Sequence, residues 1–292
     1  MKRGKSRRLF KKKKSHSNQR LGCIIAIIVL IPICYGLYLY YQQYSVQHSS
    51  KPQIETSVSL PTPSGKDLEI PISLIPRQEQ IIRHKGYTVS YNKDLKIPNW
   101  VSYELTRQET KGKEKRGDNF IADPLVKGAI ATNADYARSG YDKGHMAPAA
   151  DMKWSPDVMK ESFYFSNMCP QHPQLNRRDW KNLEEKIRDW AVADSAIIII
   201  CGPIIDKPSK TIGKNKVAVP ERFFKVILSP FVKPARGIGF LFNNRQAVEP
   251  LSTYAVSIDS IEKLTHMDFF SPLPDEIENA VEANADYYQW PR

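Results

Sequence analysis

The middle of the chain holds a set of polar side chains that suits one kind of chemistry. The run Asp142-Lys143-Gly144-His145 is followed by Asn167, Asn176 and Glu184, in that order. Histidine titrates near neutral pH and serves as a general base, while amide and carboxylate oxygens are ligands for hard cations such as Mg²⁺. The set predicts phosphodiester hydrolysis, in which a base activates water and a cation neutralises charge on the phosphoryl oxygens.

The spacing between Asn176 and Glu184 fits a shared cation site at the start of a helix. Eight residues of regular α-helix advance about 800° around the axis and about 12 Å along it, which is roughly 80° past two full turns. One side chain can therefore ligate the ion while the other, set to the side, holds the water molecules around it. Both do not need to ligate directly, because Mg²⁺ keeps several of its waters in proteins.

The basic charge of the chain is concentrated at its N-terminus. The formal net charge is +12, and residues 1–20 contain ten Lys or Arg and no acid. Removing those ten from the 43 basic residues leaves 33 against 31 acidic ones, a net of +2. The remainder is almost neutral, so the basic balance reports on the tail and not on a broad cationic binding face.

An apolar segment and a polar spacer follow the tail. Residues 21–41 are apolar or aromatic almost throughout and uncharged, and about 20 such residues let a helix cross a bilayer. The positive tail predicts a cytoplasmic N-terminus and a domain on the outer side. A cleaved signal peptide is the alternative, although its apolar core would be shorter, about 7–15 residues. Residues 42–82 are rich in Ser, Gln, Thr and Pro and are predicted to be an extended linker.

From residue 83 to residue 292 the pattern predicts one globular domain of the α+β class. Alternating or solidly apolar runs predict strands at 87–91, 100–105, 196–200, 223–228 and 237–242. Helices are expected to begin at Ser155 and near Asn176, and a last one near Asp275. A mostly antiparallel central sheet flanked by helices is therefore predicted. Cys169 and Cys201, the two cysteines of this domain, leave a disulfide or two buried thiols open.

Five segments resemble the DNA/RNA non-specific endonucleases of the ββα-metal (His-Me finger) class, which include endonuclease G-like enzymes. They are ATNADY (131–136), DKGHMAP (142–148), SNMCPQ (166–171), LNRRDWKNLE (175–184) and VPERFFKV (219–226). The resemblance covers about residues 85–275, with the segments in matching order. It implies a β-hairpin that carries the histidine and a helix that carries the metal ligand.

The resemblance also implies roles for individual residues. His145 matches the general base, Asn176 the ligand of Mg²⁺ (or Mn²⁺), and Glu184 the acid that holds the water cluster around the metal. Asn167 matches an amide that shapes the site, and Arg116 matches an arginine that stabilises charge on the phosphate. Lys143 stands where the family usually has arginine, whose planar fork binds phosphate better than the point charge of lysine does.

Two arginines at the expected helix start add to the phosphate-binding set. Arg177 and Arg178 oppose the helix dipole there, so they are predicted to contact phosphate. The expected substrates are DNA and RNA, cut with little sequence preference. Two alternatives stay open: a catalytically weak or inactive relative that only binds nucleic acid, and an envelope protein that uses the fold for protein contacts.

Location and assembly are expectations of the same kind. The anchor at 21–41 predicts a single-pass membrane protein whose nuclease domain lies on the periplasmic or extracellular side. The mitochondrial inner membrane is the alternative, because endonuclease G-like enzymes are found in mitochondria. The resemblance leaves a homodimer open, since relatives are often dimers.

Overall fold

Antiparallel strands dominate the computed structural model, which describes residues 68–206 and 209–291. Numbered along the chain, the strands are β1 (Ile72–Ser73), β2 (Gln80–Arg83), β3 (Thr88–Asn92), β4 (Ile97–Thr106), β5 (Asp142–His145), β6 (Met168–Gln171), β7 (Ala196–Ile204), β8 (Thr211–Ile212), β9 (Val217–Ala218), β10 (Arg222–Ser229), β11 (Arg236–Asn243), β12 (Ala255–Val256) and β13 (Met267–Asp268). Seven of them form one sheet in the order β12-β11-β10-β7-β4-β3-β2, and β1–β13, β5–β6 and β8–β9 form three separate pairs.

Helices pack on both faces of the large sheet. Within the described residues they are α1 (Asn133–Tyr136), α2 (Pro156–Glu161), α3 (Trp180–Asp194), α4 (Ile258–Thr265) and α5 (Asp275–Glu282), and a π-helical turn, Leu175–Asp179, leads into α3. The predicted α+β class and mostly antiparallel sheet are thus confirmed.

Strand β7 lies at the centre of the sheet and is buried on both faces. Successive side chains of a strand point to opposite faces, so Ile197 and Ile199 enter one core cluster while Ile198 and Ile200 enter the other. The first cluster contains the apolar stripe of α3, including Trp180, and the second contains α4 and α5. This double coverage explains why the run 196–200 has no polar alternation.

Helix α3 ends where its free carbonyl groups find a partner. Arg107 donates from Nε to the carbonyl of Val192 at 2.6 Å and from a terminal nitrogen to that of Ala193 at 3.1 Å. The last carbonyls of a helix have no partner inside the helix, and the arginine satisfies two of them. Ser195 then turns the chain with φ of 78° directly into β7.

The folded domain begins before residue 83, so the predicted end of the linker is wrong. Leu68 is fully buried, β1 pairs with β13, and β2 is an edge strand of the large sheet. Pairing with residues almost two hundred positions away is invisible in a local pattern. Within the described ranges no helix is long and apolar enough to cross a bilayer, and the predicted anchor at 21–41 lies outside those ranges.

The two cysteines of the domain are buried free thiols. Cys169 and Cys201 form no disulfide, and Cys201 Sγ lies 3.2 Å from the carbonyl oxygen of Met146 as a donor. The sequence left a disulfide or two buried thiols open, and the structure shows two buried thiols.

A buried carboxylate connects the segment after β2 to the turn before β6. Asp123 is 4% exposed and accepts hydrogen bonds from Ser166 Oγ at 2.6 Å, His84 Nε2 at 2.9 Å and the backbone N–H of Leu125 at 2.9 Å. Burial by itself would raise the pKa of Asp123, but these three donors outweigh it and lower the pKa. The ionised form is therefore the one that stabilises the fold.

We expect Asp123→Asn to lower the free energy of unfolding by about 1–3 kcal/mol at pH 7, because buried donors lose their acceptor. A carboxyl whose pKa is lowered on folding stabilises the protein above its unfolded pKa of about 3.9, and that contribution is lost as the pH falls below it. The parent protein should therefore lose more stability than the variant between pH 5 and about pH 3. Urea unfolding at several pH values measures both effects, with the exposed Asp189→Asn as control. Parallel pH profiles for parent and variant would contradict the assignment.

Candidate active site

The site is built on the hairpin β5–β6 and the helical segment that follows it. Asp142 pairs with Gln171 and His145 with Met168 across the hairpin. The strands approach closely at Gly144, where a Cβ atom would lie 2.3 Å from Gln171 Oε1. Only glycine fits that approach, so the glycine of the DKGH run keeps the hairpin closed. The π-helical turn and α3 follow directly in the chain and complete a ββα unit.

His145 ends β5 and is almost enclosed, with 8% of its surface exposed. Its ring centroid lies 5.0 Å from that of Phe163 and 5.6 Å from that of Phe120, and its Nε2 is buried without a hydrogen-bond partner. Burial, followed by the charges of Arg116 and Lys143, lowers the pKa of His145 to about 3. The imidazole is therefore neutral near pH 7 and able to accept a proton.

Asn167 supports the chain immediately after His145. Its Oδ1 accepts from the backbone N–H of Ala147 at 2.9 Å, and its Nδ2 donates to the carbonyls of Ala147 and Ser162, each at 2.9 Å. The fully buried amide is thus engaged inside the protein. This geometry makes Asn167 a positioning residue, which agrees with a residue that shapes the site but not with one that contacts substrate.

Asp142 joins the hairpin to the helical segment. Its Oδ2 accepts from Asn176 Nδ2 at 2.9 Å and from Arg177 Nε at 2.8 Å, and its Oδ1 accepts from a terminal nitrogen of Arg177 at 2.7 Å. Because the amide nitrogen of Asn176 is engaged, its Oδ1 is the atom left for a cation. Burial by itself would raise the pKa of Asp142, but hydrogen bonds from Arg177 and Asn176 lower it.

Asn176 belongs to the π-helical turn Leu175–Asp179 and not to a regular α-helix. The angular argument for Asn176 and Glu184, which assumed α-helical geometry throughout, therefore does not hold for the first turn. A π-helical turn pairs residues i and i+5 and often occurs at functional sites. Its wider turn changes the direction of Asn176 relative to α3.

Glu184 is half-buried on α3 among charged neighbours. Burial and, to a lesser extent, the charge of Asp151 raise the pKa of Glu184 to about 7, against the opposing charges of Lys225, Arg188 and Arg116. Arg188 donates to Asp151 Oδ1 at 2.8 Å, and Tyr103 donates to Asp151 Oδ2 at 2.8 Å. A bound cation would favour the ionised form of Glu184.

Two of the participating groups were not identified from the sequence. Arg188 lies four residues after Glu184, on the same face of α3, and that spacing is a signal that could have found it. Lys225 is fully buried in β10, with its Nζ 4.5 Å from the centroid of the Trp180 ring and without a hydrogen bond. A lysine inside the apolar run of 223–228 is its only local signal.

The four predicted phosphate-contacting cations differ in how far they are engaged by the protein. Arg116 is exposed with its guanidinium 5.4 Å from the centroid of the Phe163 ring, beside His145. Lys143 lies 4.3 Å from the centroid of the Phe120 ring and donates to Asn133 Oδ1 at 3.0 Å. Arg177 is held by Asp142, and Arg178 is exposed. The charge of Arg116 lowers the pKa of both His145 and Glu184, so the two residues lie within electrostatic range of the same guanidinium. Phosphate binding stays a prediction for all four.

The donor set fits a hard divalent cation. The free Oδ1 of Asn176 and the carboxylate of Glu184 are oxygen donors, which is the ligand type that Mg²⁺ requires, with water completing the shell. Burial and Asp151 raise the pKa of Glu184 to about 7. A cation bound beside the carboxylate would lower this pKa and favour the ionised form. The residues present therefore suit Mg²⁺ or Mn²⁺.

Comparison with known proteins gives the family. Residues 64–276 match the family model described as DNA/RNA non-specific endonuclease. The chain is 30% identical over 250 residues to "Nuclease" of Nostoc sp. (strain PCC 7120), covering 80% of this chain and 88% of that protein. It is 33% identical over 213 residues to human "Endonuclease G, mitochondrial", covering 67% and 71% respectively. The chain belongs to the DNA/RNA non-specific endonuclease family.

A solved structure agrees with this assignment. A chain in the crystal structure of the EndoG/EndoGI complex superposes with a TM-score of 0.64 at 28% sequence identity, covering 68% of this chain and 89% of that one. The antiparallel sheet described above is thus also the fold of a structurally known endonuclease G.

We expect Asn167→Ala to lower the free energy of unfolding by about 2–4 kcal/mol, because the buried backbone groups of Ala147 and Ser162 lose their partners. Chemical denaturation at pH 7 measures the change. Asn182→Ala, an exposed asparagine on α3, should stay within about 0.5 kcal/mol. Equal effects of the two substitutions would contradict the positioning role.

Proposed function

We propose that this chain is a metal-dependent endonuclease that hydrolyses phosphodiester bonds of DNA and RNA with little sequence preference. Membership of the DNA/RNA non-specific endonuclease family supports the reaction class. The observation that carries the assignment of roles is the link through Asp142, whose carboxylate orients Asn176 from the strand that ends in His145. The proposed base and the proposed metal ligand are thereby linked through one hydrogen bond and the four-residue strand β5.

His145 acts as the general base in this proposal. It accepts a proton from water, the resulting hydroxide attacks phosphorus, and the bond from phosphorus to the leaving oxygen breaks. The leaving oxygen takes up a proton from solvent, and His145 returns its proton to solvent. Its low pKa in the free chain keeps the imidazole unprotonated near pH 7. A bound phosphodiester would raise that pKa by bringing negative charge beside the ring, which favours uptake of the proton. Phe120 and Phe163 hold the ring in place.

Asn176 and Glu184 would hold the cation and its water. A bound Mg²⁺, with Mn²⁺ as the alternative, supplies Lewis-acid stabilisation of the phosphoryl and leaving oxygens. Asn176 offers Oδ1 because Asp142 occupies its nitrogen. Arg116 lies at the same aromatic wall as His145 and would neutralise charge on the phosphate.

Low sequence preference follows from the groups available for contact. Arg116, Lys143 and Arg178 are cationic side chains suited to phosphate, and contacts to phosphate carry no sequence information directly. The nearly neutral body of the chain limits the contribution of long-range attraction.

We also propose that residues 21–41 anchor the protein in a membrane, with the nuclease domain on the periplasmic or extracellular side. The support is the uncharged apolar run and the ten basic residues that precede it. Protease digestion of intact and of permeabilised cells tests the orientation. Digestion of the domain only after the cytoplasmic membrane has been permeabilised, or its release as a soluble protein, would contradict the proposal.

The decisive test is plasmid nicking by the full-length chain in mild detergent, with Mg²⁺ and with EDTA. We expect cleavage of plasmid and of RNA that requires metal and falls by about 10²–10⁴-fold in His145→Ala, the range that general bases contribute. His266→Asn is the matched control, because His266 is exposed, lies outside the site and has φ of 52°, which asparagine tolerates.

Three outcomes would contradict the proposal. Cleavage that persists in EDTA would contradict the metal requirement, and near-normal turnover by His145→Ala would contradict the assignment of His145 as the base. A folded protein that retains DNA but never cuts it with Mg²⁺ or Mn²⁺ would favour the binding-only alternative.

Lys143→Arg should strengthen binding of nucleic acid. The aromatic platform of Phe120 and the acceptor Asn133 Oδ1 both suit a guanidinium, and its planar fork can bind phosphate through two hydrogen bonds. We expect a dissociation constant lower by on the order of three- to tenfold, or about 0.7–1.4 kcal/mol. Fluorescence anisotropy in the His145→Ala background measures it, with the exposed Lys160→Arg as control. Unchanged affinity would place Lys143 outside the phosphate contacts.

A further inference from the structure

Five carboxylates gather on the face of the large sheet opposite α3. They come from α4 (Asp259, Glu262), β13 (Asp268) and α5 (Glu278, Glu282). Apolar neighbours in these elements, such as Ile261 and Val281, pack in the core cluster that contains Ile198 and Ile200, whereas Trp180 and Leu183 belong to the other cluster. The sheet therefore separates these carboxylates from the candidate active site.

Glu282 lies at the centre of the group. One oxygen from each of Asp259, Glu262 and Glu282 lies within 4.8 Å of the other two, and the same holds for Asp268, Glu278 and Glu282. Two oxygens that each lie about 2.4 Å from a Ca²⁺ ion are at most about 4.8 Å apart. Within each set of three, the spacing is therefore compatible with joint coordination of one ion, and Glu282 belongs to both sets.

The state of Glu282 is a separate indication of a ligand. Only 7% of the residue is exposed, and its Oε1 is buried with no hydrogen-bond partner. Buried carboxylates are normally paired, hydrogen-bonded or bound to metal. Among the ion pairs found within residues 68–206 and 209–291, none involves any of the five carboxylates.

One of the five is already held by the backbone. The N–H of Phe269 donates to Glu262 Oε1 at 2.8 Å, which fixes that carboxylate at the turn after β13. Burial, followed by the charges of Glu262, Glu278, Asp268 and Asp259, raises the pKa of Glu282 to about 9. The charges that act most strongly on Glu282 are thus all negative, and a bound cation would compensate them.

We propose that Glu282 and the four surrounding carboxylates form a structural Ca²⁺ site. Calcium suits a site with several carboxylates in flexible geometry, because it takes six to eight oxygen ligands, whereas Mg²⁺ demands a near-ideal octahedron. The ion would tie α4, β13 and α5 together. Strand β13 also pairs with β1, so the site would hold down the start of the folded domain as well. This inference does not depend on the proposed nuclease activity.

The test uses the full-length chain in detergent after dialysis against EDTA. Calorimetric titration should show one Ca²⁺ bound, and saturating Ca²⁺ should raise Tm by at least about 4 °C. Glu282→Gln should abolish the response, and the exposed Glu276→Gln on the same helix should retain it. Asn176→Ala should also retain it, which separates this ion from one bound at the candidate active site.

Two results would overturn the proposal. Ca²⁺ could leave Tm unchanged while Glu282→Gln raises it, in which case Glu282 is simply protonated in the folded protein. Alternatively, Ca²⁺ could stabilise Glu282→Gln as much as it stabilises the parent, and stabilise Asn176→Ala less. That result would assign Ca²⁺ binding to the candidate active site. If Glu282→Gln does not fold, the less buried Asp268→Asn decides: its dissociation constant for Ca²⁺ should rise at least tenfold, and an unchanged value would refute the site.

Discussion

The hydrogen bonds of the Asp142 carboxylate join the hairpin that carries His145 to the helical segment that carries Asn176. Asp142 begins the strand that ends in His145, and it accepts from Asn176 and Arg177 at the start of the helical segment. The amide orientation of Asn176 depends on this contact. Gly144 allows the same strand to lie against Gln171. Losing either feature would separate the groups that the proposed reaction needs close together.

Burial lowers the pKa of His145 and raises the pKa of Glu184, and both shifts favour the neutral form of the side chain. His145 has a lowered pKa because its protonated form is charged, and Glu184 has a raised pKa because its deprotonated form is charged. Low-polarity surroundings disfavour charge in both cases. Phosphate beside His145 and a cation beside Glu184 would each restore the charged form that the free protein disfavours. Binding of substrate and of metal would therefore each be coupled to a change in the pKa of one of these two residues.

The large sheet has different chemistry on its two faces. The face that carries α3 holds the cations Arg116, Arg188 and Lys225 around Glu184. The opposite face holds four carboxylates around that of Glu282, and none of these five forms an ion pair among the described residues. Nearly equal totals of acids and bases outside the tail conceal this division. A net charge close to zero is thus compatible with local concentrations of opposite charge on the two faces.

The sequence by itself determined the features that repeat over a few residues. The apolar run of β7 and the DKGH segment were readable because periodicity and residue type act locally. The spacing of several motifs in register also sufficed for the family. These features gave the fold class and the residues of the candidate site.

Only the tertiary structure decided how distant groups satisfy one another. It turned Asn167 inward onto Ala147, placed the buried carboxylate of Asp123 on His84 and Ser166, and paired β1 with β13 so that the domain starts before residue 83. It also replaced the expected first α-helical turn at Asn176 with a π-helical one. Such contacts join residues far apart in the chain, and a buried polar group takes whichever partner the packing brings within reach. Local sequence patterns carry no record of that choice.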